Sequence, residues 1–461
     1  MRTRLARLVV AIVVLGGLVA PLLRADSPDR RLIDAVRRRD ATAFALLLKQ
    51  KADINAAEAD GSTVLAWAIH LGEREMASSL IRAGAKVNTT DVYGETPLLL
   101  ACSTGDAVLV RQLIAAGATT SVTRWNGETP VMIAAGAGSL DAVKALVERG
   151  ADVNVADPKR RQTALMWAAA EGQGEVVKGL LALGADATAV SSNGFNPLVF
   201  AVVKNDATSV KALLSAGADP NYKLPSGLAP LVVALVNGST QAAMTLLEGG
   251  ATADTPDRAG NMPIHLAAQQ GNIPVLKALL DRKIDPNVRT PLPSATAGGG
   301  RGGARGGGGG ARGGGGAGGE TPLMMAAKSD HEDAMRVLVA AGADPSIKAG
   351  DGSTLLMVAA GGARLQTFKY AYELDPHVDV RTEGTSSTIM HLAVSQGGRT
   401  QPETVAVIQF LADHGAALDE LDASGRTPIA IADRLPVDQA VDLLTKIITD
   451  RGGKPKIPSV R

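Results

Sequence analysis

Gly94-Glu95-Thr96-Pro97-Leu98 is followed one period later by Gly127-Glu128-Thr129-Pro130-Val131, and Glu320-Thr321-Pro322-Leu323 returns the same block far down the chain. The leading glycine recurs at Gly61, Gly94 and Gly127 and again at Gly194, Gly227 and Gly260, every 33 residues within each trio. Between the trios one further unit begins near Arg161, where the glycine is replaced. A second block keeps the same phase: Gly150-Ala151-Asp152, Gly184-Ala185-Asp186, Gly217-Ala218-Asp219 and Gly342-Ala343-Asp344. A fixed period of this length marks a repeat array rather than one globular core.

Each unit has a physical reading. Thr before Pro starts a helix, because Thr is a good N-cap and Pro suits the first helical position. A run such as Leu165-Met166-Trp167-Ala168-Ala169 then supplies an apolar face. After a short turn at Gly172-Gln173-Gly174, a second helix carries Val176, Val177, Leu180 and Leu181 at helical spacing. Gly184 closes it, since the position after a helix wants a left-handed backbone. Asp, Asn and Gly in the following stretch make a projecting turn. One helix pair cannot bury its apolar faces alone, so neighbouring pairs must stack. The composition agrees: 46% of residues are hydrophobic but only 3% aromatic, which suits many thin Ala- and Leu-rich layers.

These blocks resemble the ankyrin-repeat family. The match is fullest at Gly260-Asn261-Met262-Pro263-Ile264-His265-Leu266-Ala267-Ala268 and extends over nearly all of residues 29–450. The resemblance implies an all-α solenoid of about twelve helix-turn-helix units with hairpin-like loops. Such a stack is curved and serves mainly for protein recognition. Residues 29–60 read as an N-terminal capping repeat, with Leu32, Ile33, Ala35 and Val36 inside. Regular repeats follow over 61–290 and again over 320–424, and a C-terminal cap spans 425–450 before a flexible tail at 451–461. Terminal units need a polar outer surface.

The array is broken twice. Residues 291–319 form a Gly/Arg-rich insertion; from Gly298 to Gly319 it holds 16 Gly, 3 Ala and 3 Arg. Nothing there builds a core, so a flexible excursion from one loop is expected. Arg301, Arg305 and Arg312 with their glycines faintly resemble an RNA-binding segment but lack interleaved aromatics. Residues 361–405 are irregular and carry Phe368, Tyr370 and Tyr372, the densest aromatic cluster, with an extra stretch from Gly397 to Glu403 read as a loop.

Residues 1–25 read as a signal peptide. Arg2, Arg4 and Arg7 precede an apolar run from Leu8 to Leu23, and Ala25 offers a small residue for cleavage. Export to a periplasm or beyond the cell is expected, with an uncleaved N-terminal anchor as the alternative. The source reads as bacterial. Formal net charge is +1, and four Arg but no acidic residue fall in the first 25, so the remainder is near balance. A general nucleic-acid binder would need a basic surface. The single Cys102 precludes a disulfide within the chain.

No catalytic, cofactor or metal site is expected. Gly136-Ala137-Gly138 follows a helix rather than a strand, and Gly452-Gly453-Lys454 runs into Pro455, so neither reads as a phosphate loop. His265 and His391 fall where the family carries a structural histidine joining loops. A protein partner is expected on the loop tips and first-helix faces. The candidates are Tyr93, Arg124, Trp125, Asn126, Arg160, Arg161 and Arg258 on tips, and His70, Glu171 and Gln269 on first helices. Trp and Arg are enriched in binding hot spots. Trp67 and Trp167 occupy a helix position usually filled by Leu and are expected in the core. The chain thus reads as a non-catalytic protein-interaction scaffold. The alternatives are a secreted effector acting on a host or competitor protein, and an enzyme with its site in 361–405.

Overall fold

The computed structural model describes residues 30–292, 318–395 and 399–455. The expected signal peptide, most of the 291–319 insertion and the end of the tail lie outside the described residues. Among the described residues are 24 α-helices and no strand, with isolated bridges such as Ala57 to Thr63. The chain divides into two compact units, Met1–Pro130 with Glu148–Ala151, and Val131–Val147 with Asp152–Arg461.

The first unit holds three helix pairs: α1 (Arg31–Arg37) and α2 (Ala41–Lys49), α3 (Val64–His70) and α4 (Arg74–Arg82), α5 (Pro97–Ser103) and α6 (Ala107–Ala115). In it, α3 packs against both α1 and α5, and α4 against α6. The second unit continues the pattern with α7 (Pro130–Gly136) and α8 (Leu140–Val147), α9 (Ala164–Glu171) and α10 (Gly174–Ala182), α11 (Pro197–Lys204) and α12 (Ala207–Ser215), and α13 (Pro230–Val236) and α14 (Thr240–Glu248). Then come α15 (Pro263–Gln269) and α16 (Ile273–Asp281), α17 (Pro322–Lys328) and α18 (Glu332–Ala340), and α19 (Leu355–Ala360) and α20 (Leu365–Leu374). The last pairs are α21 (Ile389–Val394) with α22 (Gln401–Asp413) and α23 (Pro428–Ala432) with α24 (Asp438–Asp450).

Caps start the first helices where the sequence places them. Oγ1 of Thr63, Thr96 and Thr321 accepts the backbone N–H of Ala66, Leu99 and Met324 at 3.2, 3.2 and 3.3 Å. Each such bond satisfies one of the N–H groups a helix start leaves unpaired. Most second helices end on a glycine in the left-handed region, as at Gly184 (φ 88°), while Lys51 and Lys283 hold that backbone after α2 and α16; a side chain is strained there. The core consists of layers between pairs: Leu65, Ala68 and Ile69 of α3 and Leu98, Ala101 and Cys102 of α5 are almost fully buried.

An asparagine after several of the second helices ties repeat to repeat. Asn88 accepts from Thr119 N–H and donates to the Gly117 carbonyl, both at 2.9 Å. In the second unit Asn154 and Asn221 repeat this bridge. Asn287 makes it across the insertion, accepting from Asp344 N–H at 2.8 Å and donating to the Gly342 carbonyl at 3.1 Å. Thr290 N–H also donates to the Glu320 carbonyl at 3.0 Å, and α15 packs on α17. The insertion therefore leaves and re-enters at one turn tip, and the layers on either side stack directly.

The irregular region is built by packing. Phe368 is fully buried edge-on to Phe410, Tyr372 meets both Phe410 and His414, and Phe410 stacks on His414 at 4.0 Å. Tyr370 lies under the Arg336 guanidinium. The aromatic cluster thus joins α20 to α22. Part of the stretch expected as a loop from Gly397 to Glu403 is instead helix: α22 begins at Gln401, with Thr400 accepting the role of cap and Glu403 receiving the Thr400 N–H at 2.8 Å. Arg399 is buried beside it and donates to the carbonyls of Ala360, Ala363 and Ala393. Burial pushes its guanidinium down to about 10.

Candidate functional site

Several projecting turns, at Asp91, Asp157, Asp257 and Asp422, are set by an acidic side chain that binds its own backbone. Asp91 Oδ1 accepts the N–H of Tyr93 and of Glu95, both at 2.9 Å. Gly94 (φ 78°) then returns the chain toward the helix. The residues between Asp91 and Gly94 point outward: Val92 is 69% exposed and Tyr93 67%, and Trp125 on the next turn is 74% exposed. Successive tips are joined by one backbone bond, Val92 N–H to the Asp60 carbonyl at 2.8 Å in the first unit and Ser192 N–H to the Arg160 carbonyl at 2.8 Å in the second.

Below the first of these tips lies a cavity of about 270 Å³. Trp67, His70 and Ala66 of α3, Leu100 of α5, and Asp60, Ser62, Asp91, Tyr93 and Glu95 of the turns line it. Trp67 is half-buried here, which corrects the expectation that it belongs to the core; Trp167 is half-buried likewise. The helix residue four places after the cap faces the turn side, where the next repeat covers it only in part; Leu100 and Phe200 at this position are half-exposed too. The Trp67 indole N–H donates to Glu58 Oε2 at 3.0 Å, and the Arg37 guanidinium sits 4.1 Å from the ring centroid while pairing with Glu58 at 2.9 Å. His70 stands edge-on to Trp67 at 5.9 Å.

The other tip candidates differ in availability. Arg124 is committed internally: it pairs with Glu95 at 2.5 Å and Glu128 at 3.0 Å, and its side chain is only 21% exposed. It locks the tip that carries Trp125 rather than offering a free cation. Asn126 is half-buried and accepts from Glu128 N–H. Arg160 and Arg161 are exposed, Arg161 holding the left-handed backbone (φ 54°) that Gly adopts elsewhere. Arg258 is exposed and donates to the Ser226 carbonyl at 3.0 Å. His70, Glu171 and Gln269 are exposed at or near the ends of their helices. The first unit therefore gathers His70, Tyr93, Arg124, Trp125 and Asn126. The second carries Arg160, Arg161, Glu171, Arg258 and Gln269. Trp67 is the residue that sequence reasoning missed; its recurrence at the Leu100 and Phe200 position was the available signal.

His265 and His391 join loops. Nδ1 of His265 accepts from Met262 N–H at 3.1 Å and Nε2 donates to the Val288 carbonyl at 3.0 Å; His391 does the same between Thr388 and Arg426. Burial lowers the pKa of both. Burial also pushes the Cys102 thiol up to about 12, which disfavours the thiolate. Among the described residues no group of three His, Cys, Asp or Glu side chains is placed to hold a metal, and no helix is long and apolar enough to cross a membrane.

Stacked helix pairs with outward turn tips define a solenoid repeat protein. A family model of ankyrin repeats, three copies long, matches residues 32–124, 101–191, 156–224 and 198–290, and the single ankyrin repeat matches 318–349. The chain belongs to the ankyrin-repeat family, whose repeats generally mediate protein–protein interaction and are typically non-catalytic. No curated protein matches the chain.

Proposed function

We propose that this chain is an exported, non-catalytic scaffold that holds a protein partner on its turn tips and first-helix faces. The observation that carries the reading is the exposure of Tyr93 and Trp125 on consecutive tips of the first unit. A large aromatic ring left in water forgoes burial that a partner would restore, and Trp and Tyr dominate binding hot spots. Neither ring is required to close a layer, since the layers are filled by Leu, Ala and Val from the helices. Export rests on Arg2, Arg4, Arg7 and the apolar run Leu8–Leu23, and is tested by cell fractionation with sequencing of the mature N-terminus.

The binding reading is tested by affinity capture from the native source with the wild-type chain and a Tyr93→Ala/Trp125→Ala variant. The variant is expected to lose the captured partner, with affinity reduced at least ~30-fold as hot-spot residues do, while its unfolding midpoint stays put. A large fall in that midpoint would assign the two rings to packing instead.

A further inference from the structure

We propose that the cavity between α3 and the tips at Asp60 and Asp91 is a socket for an arginine side chain of the partner. This rests on the scaffold reading and names the chemistry that the first unit would recognise. The walls combine two aromatic faces, Trp67 and Tyr93, with three carboxylates, Asp60, Asp91 and Glu95, and no Lys or Arg among the lining residues. At about 270 Å³ it falls below the ~300–1,000 Å³ of pockets for drug-sized ligands and suits one side chain.

The carboxylates are not equivalent. Glu95 already has its cation, Arg124. Asp60 and Asp91 accept backbone N–H groups of their own turns, from Ser62 and from Tyr93 and Glu95, and no Lys or Arg pairs with either among the described residues. The hydrogen bond from Ser62 holds the Asp60 carboxyl below its usual value, so its charge is present at neutral pH.

The chain itself shows what such a setting holds. Arg37 lies over Trp67 with Glu58 behind it, and Arg124 lies between Glu95 and Glu128. Both are guanidinium groups in aromatic or acidic company at the edges of this cavity, whose own lining repeats those components. A guanidinium is planar, stacks on rings and is weakly hydrated, so it fits an aromatic slot with an acidic rim better than an ammonium does. Tyr93 would cover it from above and lose much of its exposure.

The test uses the full chain with its three tryptophans, Trp67, Trp125 and Trp167, labelled with ¹⁵N at the indole and assigned by Trp→Phe variants. The probe is N-acetyl-arginine amide, with N-acetyl-citrulline amide as the neutral isostere and N-acetyl-lysine amide as the competing cation. The Trp67 signal is expected to move saturably with the arginine probe, less with lysine and not with citrulline, and the effect should weaken with added salt. Tyr93→Ala should weaken the arginine probe about two- to fivefold, the size of an exposed cation–π contact. Asp60→Asn should weaken it as well, since Asn keeps the acceptor for Ser62 N–H and removes the charge. Equal response to citrulline, tighter binding of lysine, or a Trp67 signal that stays still would overturn the socket. A partner still captured by the chain whose Trp67 ignores arginine sinks the socket alone. Arginine binding with capture unaffected by the tip variant sinks the tip reading alone.

Discussion

At the scale of the residue, two histidines show how a motif letter becomes an energy. His265 and His391 each take the part that Glu or Gln plays at the third helical position of a capping box, accepting the N-cap residue's N–H on Nδ1, and bind the next turn through Nε2. Both are held neutral by burial, with pKa values below the ordinary 6.5. The folded state therefore binds fewer protons than the unfolded state once pH drops below that value. Their contribution is complete above the unfolded pKa and is lost as pH falls toward the folded one. Denaturant midpoints are expected to decline as pH falls below the ordinary histidine value. A His265→Gln/His391→Gln variant should be less stable at neutral pH by ~1–3 kcal/mol per site and should show a flatter profile over the same range. An unchanged slope would mean that other groups set it.

At the scale of the element, the helix starts are nearly interchangeable, which makes the exception informative. Thr63, Thr96, Thr163, Thr321, Thr354 and Thr427 all cap with a side-chain oxygen. Ala229 has the same extended backbone (φ −88°, ψ 156°) before α13 but no side chain that can accept. Ala229→Thr is expected to add ~0.5–2 kcal/mol, read as a higher unfolding midpoint. If the midpoint falls, the site is too tight for the extra atoms, Ala229 being 2% exposed. The second helices show the opposite case: α22 and α24 run to 13 residues where α10 and α12 run to 9. In α22 the four additional residues, Gln401–Thr404, lie at the N-terminal end, because its C-cap His414 precedes Gly415 as Ala341 precedes Gly342; Phe410 and His414, which meet Tyr372, keep the regular register.

At the scale of the whole molecule, stability is shared between neighbouring layers, so a change confined to a turn tip should be invisible to the stack. The insertion is the natural test. Gly319 N–H donates to the Thr290 carbonyl at 2.9 Å, which closes the turn below it. Deleting residues 293–318 would leave Thr290-Pro291-Leu292-Gly319-Glu320-Thr321, the regular tip length seen from Asp257 to Met262. The deleted chain is expected to keep its unfolding midpoint or raise it slightly, because a shorter loop costs less entropy to close. A marked loss of stability would show that the insertion packs on the layers.

The sequence by itself determined the period, the caps, the turn glycines and the layer residues, because each depends on contacts within a unit or on a pattern that every unit repeats. Leu65, Leu98 and Leu165 could be placed inside from spacing alone. Only the tertiary structure decided that Trp67 and Trp167 stay half-buried, that Arg124 is spent on Glu95 and Glu128, and that Phe368 and Tyr372 meet Phe410. In each of these the deciding partner sits in another repeat or on the next turn. How much of a side chain that partner covers is set by how the layers stack, which helical spacing within one unit does not encode.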